Sequence, residues 1–196
     1  MHKQFPLFQT AIDLAHSYWK QCVASGDTVI DATCGNGHDS TFLASLALTR
    51  AAGTLHLFDI QQKAVQQTQE RLQNLHPDLL PRIHFHNVCH SHIASYAAKE
   101  TVTLIVYNLG YLPTGDKSIT TQAETTLRSV ETGLELLRVG GVMSITCYPG
   151  HPEGKVEEEA LRNAIKKLPQ HLWSISWHQW LNRQRSPSLI LVQRSF

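Results

Sequence analysis

Residues Thr28 to Ser40, TVIDATCGNGHDS, constrain this chain more than any other stretch. A short apolar run ends in Asp31, and two glycines separated by one residue follow, Gly35 and Gly37. Glycine there lets the backbone turn tightly against a ligand, and Gly37 to Leu48 can start a helix whose first N–H groups face that ligand. The stretch reads as a strand entering a nucleotide-binding turn. A dinucleotide fingerprint needs a third glycine where Ser40 stands, and a P-loop needs Lys-Ser or Lys-Thr after Gly37; neither is present. Asp31, at the strand's carboxyl end, is placed to hydrogen-bond a cationic or polar group rather than a phosphate, which suits the ammonium end of S-adenosylmethionine (SAM). An ordinary strand-to-helix turn is the alternative reading of Gly-x-Gly alone.

A second apolar run, Thr54 to Ile60, ends in Asp59. The acidic tip of a second strand is where nucleotide folds grip ribose hydroxyls, and Asp59 could also cap the helix Gln61 to Leu75. Further strands are expected at Ile83–Asn87, Thr103–Asn108, Gly141–Cys147, Trp173–Gln179 and Leu189–Arg194. Helices are expected at Gly37–Leu48, Lys63–Leu75, more weakly at His92–Lys99, and at Thr121–Arg138. Such alternation predicts an α/β, Rossmann-like fold, a seven-stranded and mostly parallel sheet with helices on both faces. Asn182 and Pro187 between the last two strands predict a C-terminal antiparallel hairpin at the sheet edge. This is the layout of class I methyltransferases. At 196 residues and 42% hydrophobic, the chain suits one domain over 1–196, with a helical extension in 1–25 that includes an amphipathic helix at Phe8–Cys22.

A net charge of +1 supplies no global field for nucleic acid, so any RNA contact must be local. The four cysteines, Cys22, Cys34, Cys89 and Cys147, form no C-x-x-C pair and argue against a disulfide framework or a structural zinc. His84, His86, His90 and His92 alternate, but without paired Cys or carboxylate ligands no metal is expected. With no leader and no apolar run of membrane-spanning length, a soluble protein in a reducing cytoplasm is expected, with no membrane partner.

The fourth strand runs into Asn108-Leu109-Gly110-Tyr111-Leu112-Pro113 and then Thr114-Gly115-Asp116-Lys117. Ligands meet the carboxyl ends of strands in open α/β sheets, so this loop should face the glycine turn. An Asn carbonyl and nearby backbone carbonyls can accept from an amine and aim its lone pair at a methyl donor, and Tyr111 offers a face for stacking a base. The element is similar in role to the Asn-Pro-Pro-Tyr loop of amino-group methyltransferases. A capped turn after a buried strand is the plain alternative. After the fifth strand come Tyr148-Pro149-Gly150-His151, where His151 could contact substrate, assist proton transfer or serve structure alone. Glu157-Glu158-Glu159 read as the acidic start of a helix, explained by its dipole and capping.

Together, DATCGNGHDS with Phe42–Ala44, NLGYLPTGDKSITT at Asn108–Thr121 and YPGHPEGKVEEEAL at Tyr148–Leu161 resemble the YtqB-type family of rRNA methylases, which includes the MnmM tRNA methyltransferases. Ala15-His16 and Gly26-Asp27 are also in keeping, so the likeness spans nearly the whole chain. It implies SAM-dependent N-methylation of 5-aminomethyl-(2-thio)uridine at the tRNA wobble position, with a methyltransferase acting on rRNA or a small amine as the alternative. The implied partner is the tRNA anticodon stem-loop, not DNA, and a homodimer is left open. On this reading the cofactor is held by Asp31, Thr33, Gly35, Asn36, Gly37, His38, Asp39, Asp59, Ile60, Gln61, Cys89, His90 and Asn108. The catalytic residues are Asn108, Asp116, Tyr111 and His151, with Asp116, Asn108 or water receiving the proton. Leu109, Gly110, Lys117, Tyr148 and Arg183 bind substrate, and Arg185, Lys155, Lys166 and Lys167 contact phosphates or are ordinary surface charges.

Overall fold

A computed structural model describes residues 10–112, 120–183 and 185–195. Seven strands form one sheet: β1 (Thr28–Asp31), β2 (Thr54–Phe58), β3 (Ile83–His86), β4 (Val102–Asn108), β5 (Leu137–Cys147), β6 (Trp173–His178) and β7 (Ser188–Arg194). Their order is β3-β2-β1-β4-β5-β7-β6. The first five run parallel, while β7 lies antiparallel between β5 and β6. The expected class I methyltransferase sheet is borne out, and its terminal hairpin goes further than expected. Its second strand is inserted beside β5, leaving β6 at the edge.

Alternation along β4 explains the layers. Leu104 and Val106 join one buried cluster with Ala15 and Trp19 of α1 (Ala11–Cys22), Leu43 of α2 (His38–Ala47) and Leu72 of α3 (Gln62–Leu75). Ile105 and Tyr107 face the other cluster, with Val130 of α4 (Ala123–Leu136) and Leu161 of α5 (Pro152–Ile165). A strand that buries both faces must be apolar at consecutive positions, and six of the seven residues of β4 are buried. Helix α1 starts at a capping box, in which the Thr10 hydroxyl accepts from Asp13 N and the Asp13 carboxylate accepts from Thr10 N, each at 3.1 Å.

Three boundaries differ from expectation. β5 begins at Leu137, directly after α4, so Leu137 and Arg138 belong to the strand rather than the helix. The Gly140-Gly141 pair that reads as a breaker lies beside a register shift between β4 and β5, with Gly140 at φ +76° and Gly141 pressed between carbonyls of Arg138 and Val102. The weak helix at His92–Lys99 is a 3-10 turn at His90–Ser95. Helix α5 starts at Pro152, with His151 as its cap, so Glu157 and Glu158 are not in its first turn.

Candidate active site

The strand order reverses between β1 and β4, and the carboxyl ends of the strands open there into a cavity of about 860 Å³. The turn after β1 forms one wall. Ala32 N donates to Val106 O and Cys34 N to Phe58 O, both at 2.9 Å, so the turn is sewn to the strands on either side. Gly35 sits at φ +51° and donates its N–H to Asp59 Oδ2 at 3.1 Å, while Gln61 N donates to Asp59 Oδ1 at 2.8 Å. Asp59 thus accepts from two backbone donors and still lines the cavity, but the cap of α3 is Gln61, so the expected helix-cap role does not fall to Asp59. Burial raises its carboxyl above the ordinary range, opposed by those two hydrogen bonds.

Cys89 and His90 follow β3. His90 is 7% exposed, and burial holds its imidazole down at about 4, so it is neutral at physiological pH. It hydrogen-bonds the Ala32 backbone, while Nε2 is buried with no partner among the described residues. A neutral ring nitrogen left bare in a cavity wall is an acceptor that a ligand donor would satisfy.

Asn108, at the tip of β4, is held at three points. Its backbone N donates to Thr33 Oγ1 at 2.7 Å, its side-chain Nδ2 donates to Asp39 Oδ2 at 3.3 Å, and its side chain hydrogen-bonds Tyr148. Burial pushes the Tyr148 phenol up, and the nearby Asp39 charge adds to this. The loop after Asn108 is tied at its neck: Tyr111 bridges Thr120, Thr121 N donates to Gly110 O, and Gly110 N donates to Thr121 Oγ1.

Glu157 holds that neck from beneath, accepting from Thr121 Oγ1 at 2.7 Å and from Thr126 Oγ1 at 2.6 Å while only 2% exposed. Glu158 accepts from Trp177 Nε1 and Ser188 Oγ. These glutamates therefore correct the expectation of a helix start explained by its dipole and capping: they are buried and hydrogen-bonded to other elements. The Pro152 start shifts them a turn inward, and the signal that could have found it was Pro after a capping residue. Burial raises the Glu157 carboxyl, opposed by its two threonine hydrogen bonds.

Most of the expected site residues converge on the cavity: Thr33, Gly35, Asn36, His38, Asp39, Asp59, Ile60, Gln61, Cys89, His90, Asn108, Leu109, Gly110, Tyr111, Tyr148 and His151. Three do not. Asp31 is 1% exposed and lies behind the wall, where Oδ2 accepts from Ser40 Oγ at 2.6 Å and Oδ1 from Thr33 N at 3.2 Å. It braces the turn rather than meeting a ligand, and Ser40 is its donor. Gly37 packs at φ +77° against Thr68, where a Cβ would come within 2.9 Å of the hydroxyl. Arg183 lies outside the wall, over Trp180, and Arg185 lines the cavity instead. His151 caps α5 through Nδ1, which accepts from Gly154 N at 3.2 Å; Glu153 Oε2 lies 3.2 Å from the same nitrogen and competes for it when the ring is protonated. Asp116 and Lys117 lie outside the described residues.

The residues present fit SAM. Turn 32–36 would hold its amino-acid end, Asp59 and its neighbours the ribose, and Cys89 with the bare His90 Nε2 the base, whose exocyclic amine is a donor. Fold and cavity together define a class I methyltransferase.

Residues 55–194 match the family model described as "Putative rRNA methylase". The chain is 35% identical over 187 residues to the tRNA (mnm(5)s(2)U34)-methyltransferase, chloroplastic, of Arabidopsis thaliana, covering 93% of this chain and 68% of the relative. A Clostridium thermocellum crystal structure of the same rRNA-methylase description is 34% identical and superposes with a TM-score of 0.90 over 95% of this chain and 98% of its own. A Streptococcus mutans structure, designated a methyltransferase and solved in complex with SAH, is 28% identical, with a TM-score of 0.81 over 96% of this chain and 99% of its own. The chain belongs to this rRNA methylase family.

Proposed function

We propose that this SAM-dependent methyltransferase acts on tRNA, N-methylating the aminomethyl group of 5-aminomethyl-(2-thio)uridine at the wobble position. The observation that carries the reading is the polar tip of β4. Asn108 turns its amide nitrogen toward two acceptors, Asp39 Oδ2 and the Tyr148 phenol oxygen, which leaves the carbonyl oxygen as an acceptor on a residue lining the cavity. An amine that donates to that oxygen turns its lone pair elsewhere, and the geometry needed is in-line approach to the methyl carbon. When bound, SAM supplies an electrophilic methyl group on a sulfonium. Holding the amine in place is worth effective molarities of about 10⁵–10⁸ M. Leu109 and Gly110 shape the wall beside Asn108, and the part-exposed ring of Tyr111 offers a platform for a splayed anticodon base. Arg185 on the cavity wall supplies a cation for the RNA backbone. The name of the plant relative supports the wobble uridine as substrate. The free cysteines support a reducing compartment, for which we take the cytoplasm.

The test is to incubate purified protein and labelled SAM with total tRNA from cells blocked at the aminomethyl stage, then identify nucleosides by mass spectrometry. Methylaminomethyl-uridine, lost in Asn108→Ala, is the expected product. No product there, with label entering rRNA when rRNA is supplied in its place, would overturn the reading.

A further inference from the structure

We propose that His16, on the N-terminal helix, is a positioning residue for methyl transfer: acting through Asp39, it locks the Asn108 amide with its carbonyl oxygen toward the substrate amine. This rests on the amine-methylation reading above.

An asparagine amide has two orientations of nearly equal shape, and turning it over exchanges an acceptor for a donor. A donor aimed at an amine N–H would hold the substrate away. The choice is made by whatever meets the other edge of the amide. Here that is a carboxylate, which only accepts, so the nitrogen edge faces Asp39 Oδ2 at 3.3 Å, with the Tyr148 phenol as the side chain's second partner. Asp39 in turn has its direction set by its other oxygen, Oδ1, which accepts from His16 Nε2 at 2.8 Å. That is the shorter contact of the two. Without it the carboxylate is free to rotate, and the longer link to Asn108 is the one that loosens.

The imidazole is itself held. It stacks on Phe42 with centroids 4.1 Å apart and planes 7° from parallel, and it leans on the buried Trp19 at 4.7 Å. Side-chain exposures of 26% for His16 and 12% for Asp39 leave the pair only partly open to water, which limits competition from solvent for the hydrogen bond. The carboxylate also polarises the amide from behind, which strengthens its oxygen as an acceptor. None of this needs His16 to touch substrate or cofactor, and His16 is not on the cavity wall. It lies outside the residues that the family model matches, on a helix whose buried Ala11, Ala15 and Trp19 otherwise describe a covering element.

Two readouts on the full chain test this, with His16→Leu removing the donor and His16→Gln restoring one. The first needs no cofactor: the Asn108 side-chain amide pair in a 15N-correlated NMR spectrum, assigned by its loss in Asn108→Asp. It should move in His16→Leu and return toward the wild-type position in His16→Gln. The second is turnover on aminomethyl-stage tRNA with labelled SAM. His16→Leu should lose about 10- to 100-fold in kcat while KM for tRNA stays within about threefold, and His16→Gln should recover most of kcat. An unmoved amide pair, or equal kcat losses in the two variants, would overturn the proposal. If His16→Leu does not fold, Asp39→Asn carries the same two expectations. Wild-type protein that leaves this tRNA unmethylated would overturn the proposed substrate, and the amide signals would then still decide the lock by itself.

Discussion

Asp31 is a carboxyl group sealed inside the protein, and its replacement by Asn should change how stability depends on pH. Burial is the largest influence on it, with the nearby Asp39 and Asp59 charges adding to the effect and the Ser40 and Thr33 hydrogen bonds opposing it. The net result moves its pKa from an ordinary 3.8 up to about 7. Between those two values the folded chain keeps a proton that the unfolded chain has released. Asp31 therefore favours folding at low pH, and that advantage is lost as pH rises through 7. Each pH unit in the window costs about 1.4 kcal/mol, so the whole gap is about 4 kcal/mol and the part between pH 5 and pH 8 about 2.5 kcal/mol. Asn keeps the shape without the proton. Urea unfolding of wild type and Asp31→Asn, followed by tryptophan fluorescence at pH 5, 6, 7 and 8, gives a difference curve from which titrating groups distant from Asp31 cancel. Stability of the wild type relative to the variant should fall by about 2.5 kcal/mol from pH 5 to pH 8. Parallel curves would refute the reasoning, because they would mean that Asp31 ionises in the folded chain as it does in the unfolded one.

Gly37→Ala should destabilise the fold by about 2–4 kcal/mol, combining a left-handed conformation with overlap on Thr68, and thermal unfolding would read it. Asp59→Ala should weaken SAH binding by about 10- to 100-fold in calorimetry, because it removes a charged acceptor from the wall and releases Gly35 N and Gln61 N together. Glu157→Ala orphans the Thr121 and Thr126 hydroxyls at about 1–3 kcal/mol each and unties the loop neck. Its kcat should therefore fall while SAH affinity stays near wild type, and equal losses in both would place Glu157 in the cofactor site instead.

What the sequence determined by itself was whatever short-range pattern encodes. Apolar runs ending in polar residues mark the strands and their tips, and so Asp59 and Asn108 are legible as strand-end residues in the sequence alone. Gly35 and Gly37 marked the turn, because a left-handed backbone is cheap only without a Cβ. Tertiary structure decided what each polar group meets. Asp31 and Asp59 both end apolar runs, yet one is sealed against Ser40 and the other lines the cavity. The difference is made by the packing of α2 over β1, which no spacing within the segment reveals. Glu157 and Glu158 read as the acidic first turn of a helix, whereas Thr126 of α4, Thr121 just before it, a serine of β7 and a tryptophan of β6 supply their donors. The chain from His16 through Asp39 to Asn108 joins residues 23 and 69 positions apart. Periodicity reports which face of an element is buried, but a hydrogen bond between distant elements exists only once the sheet has brought their ends together.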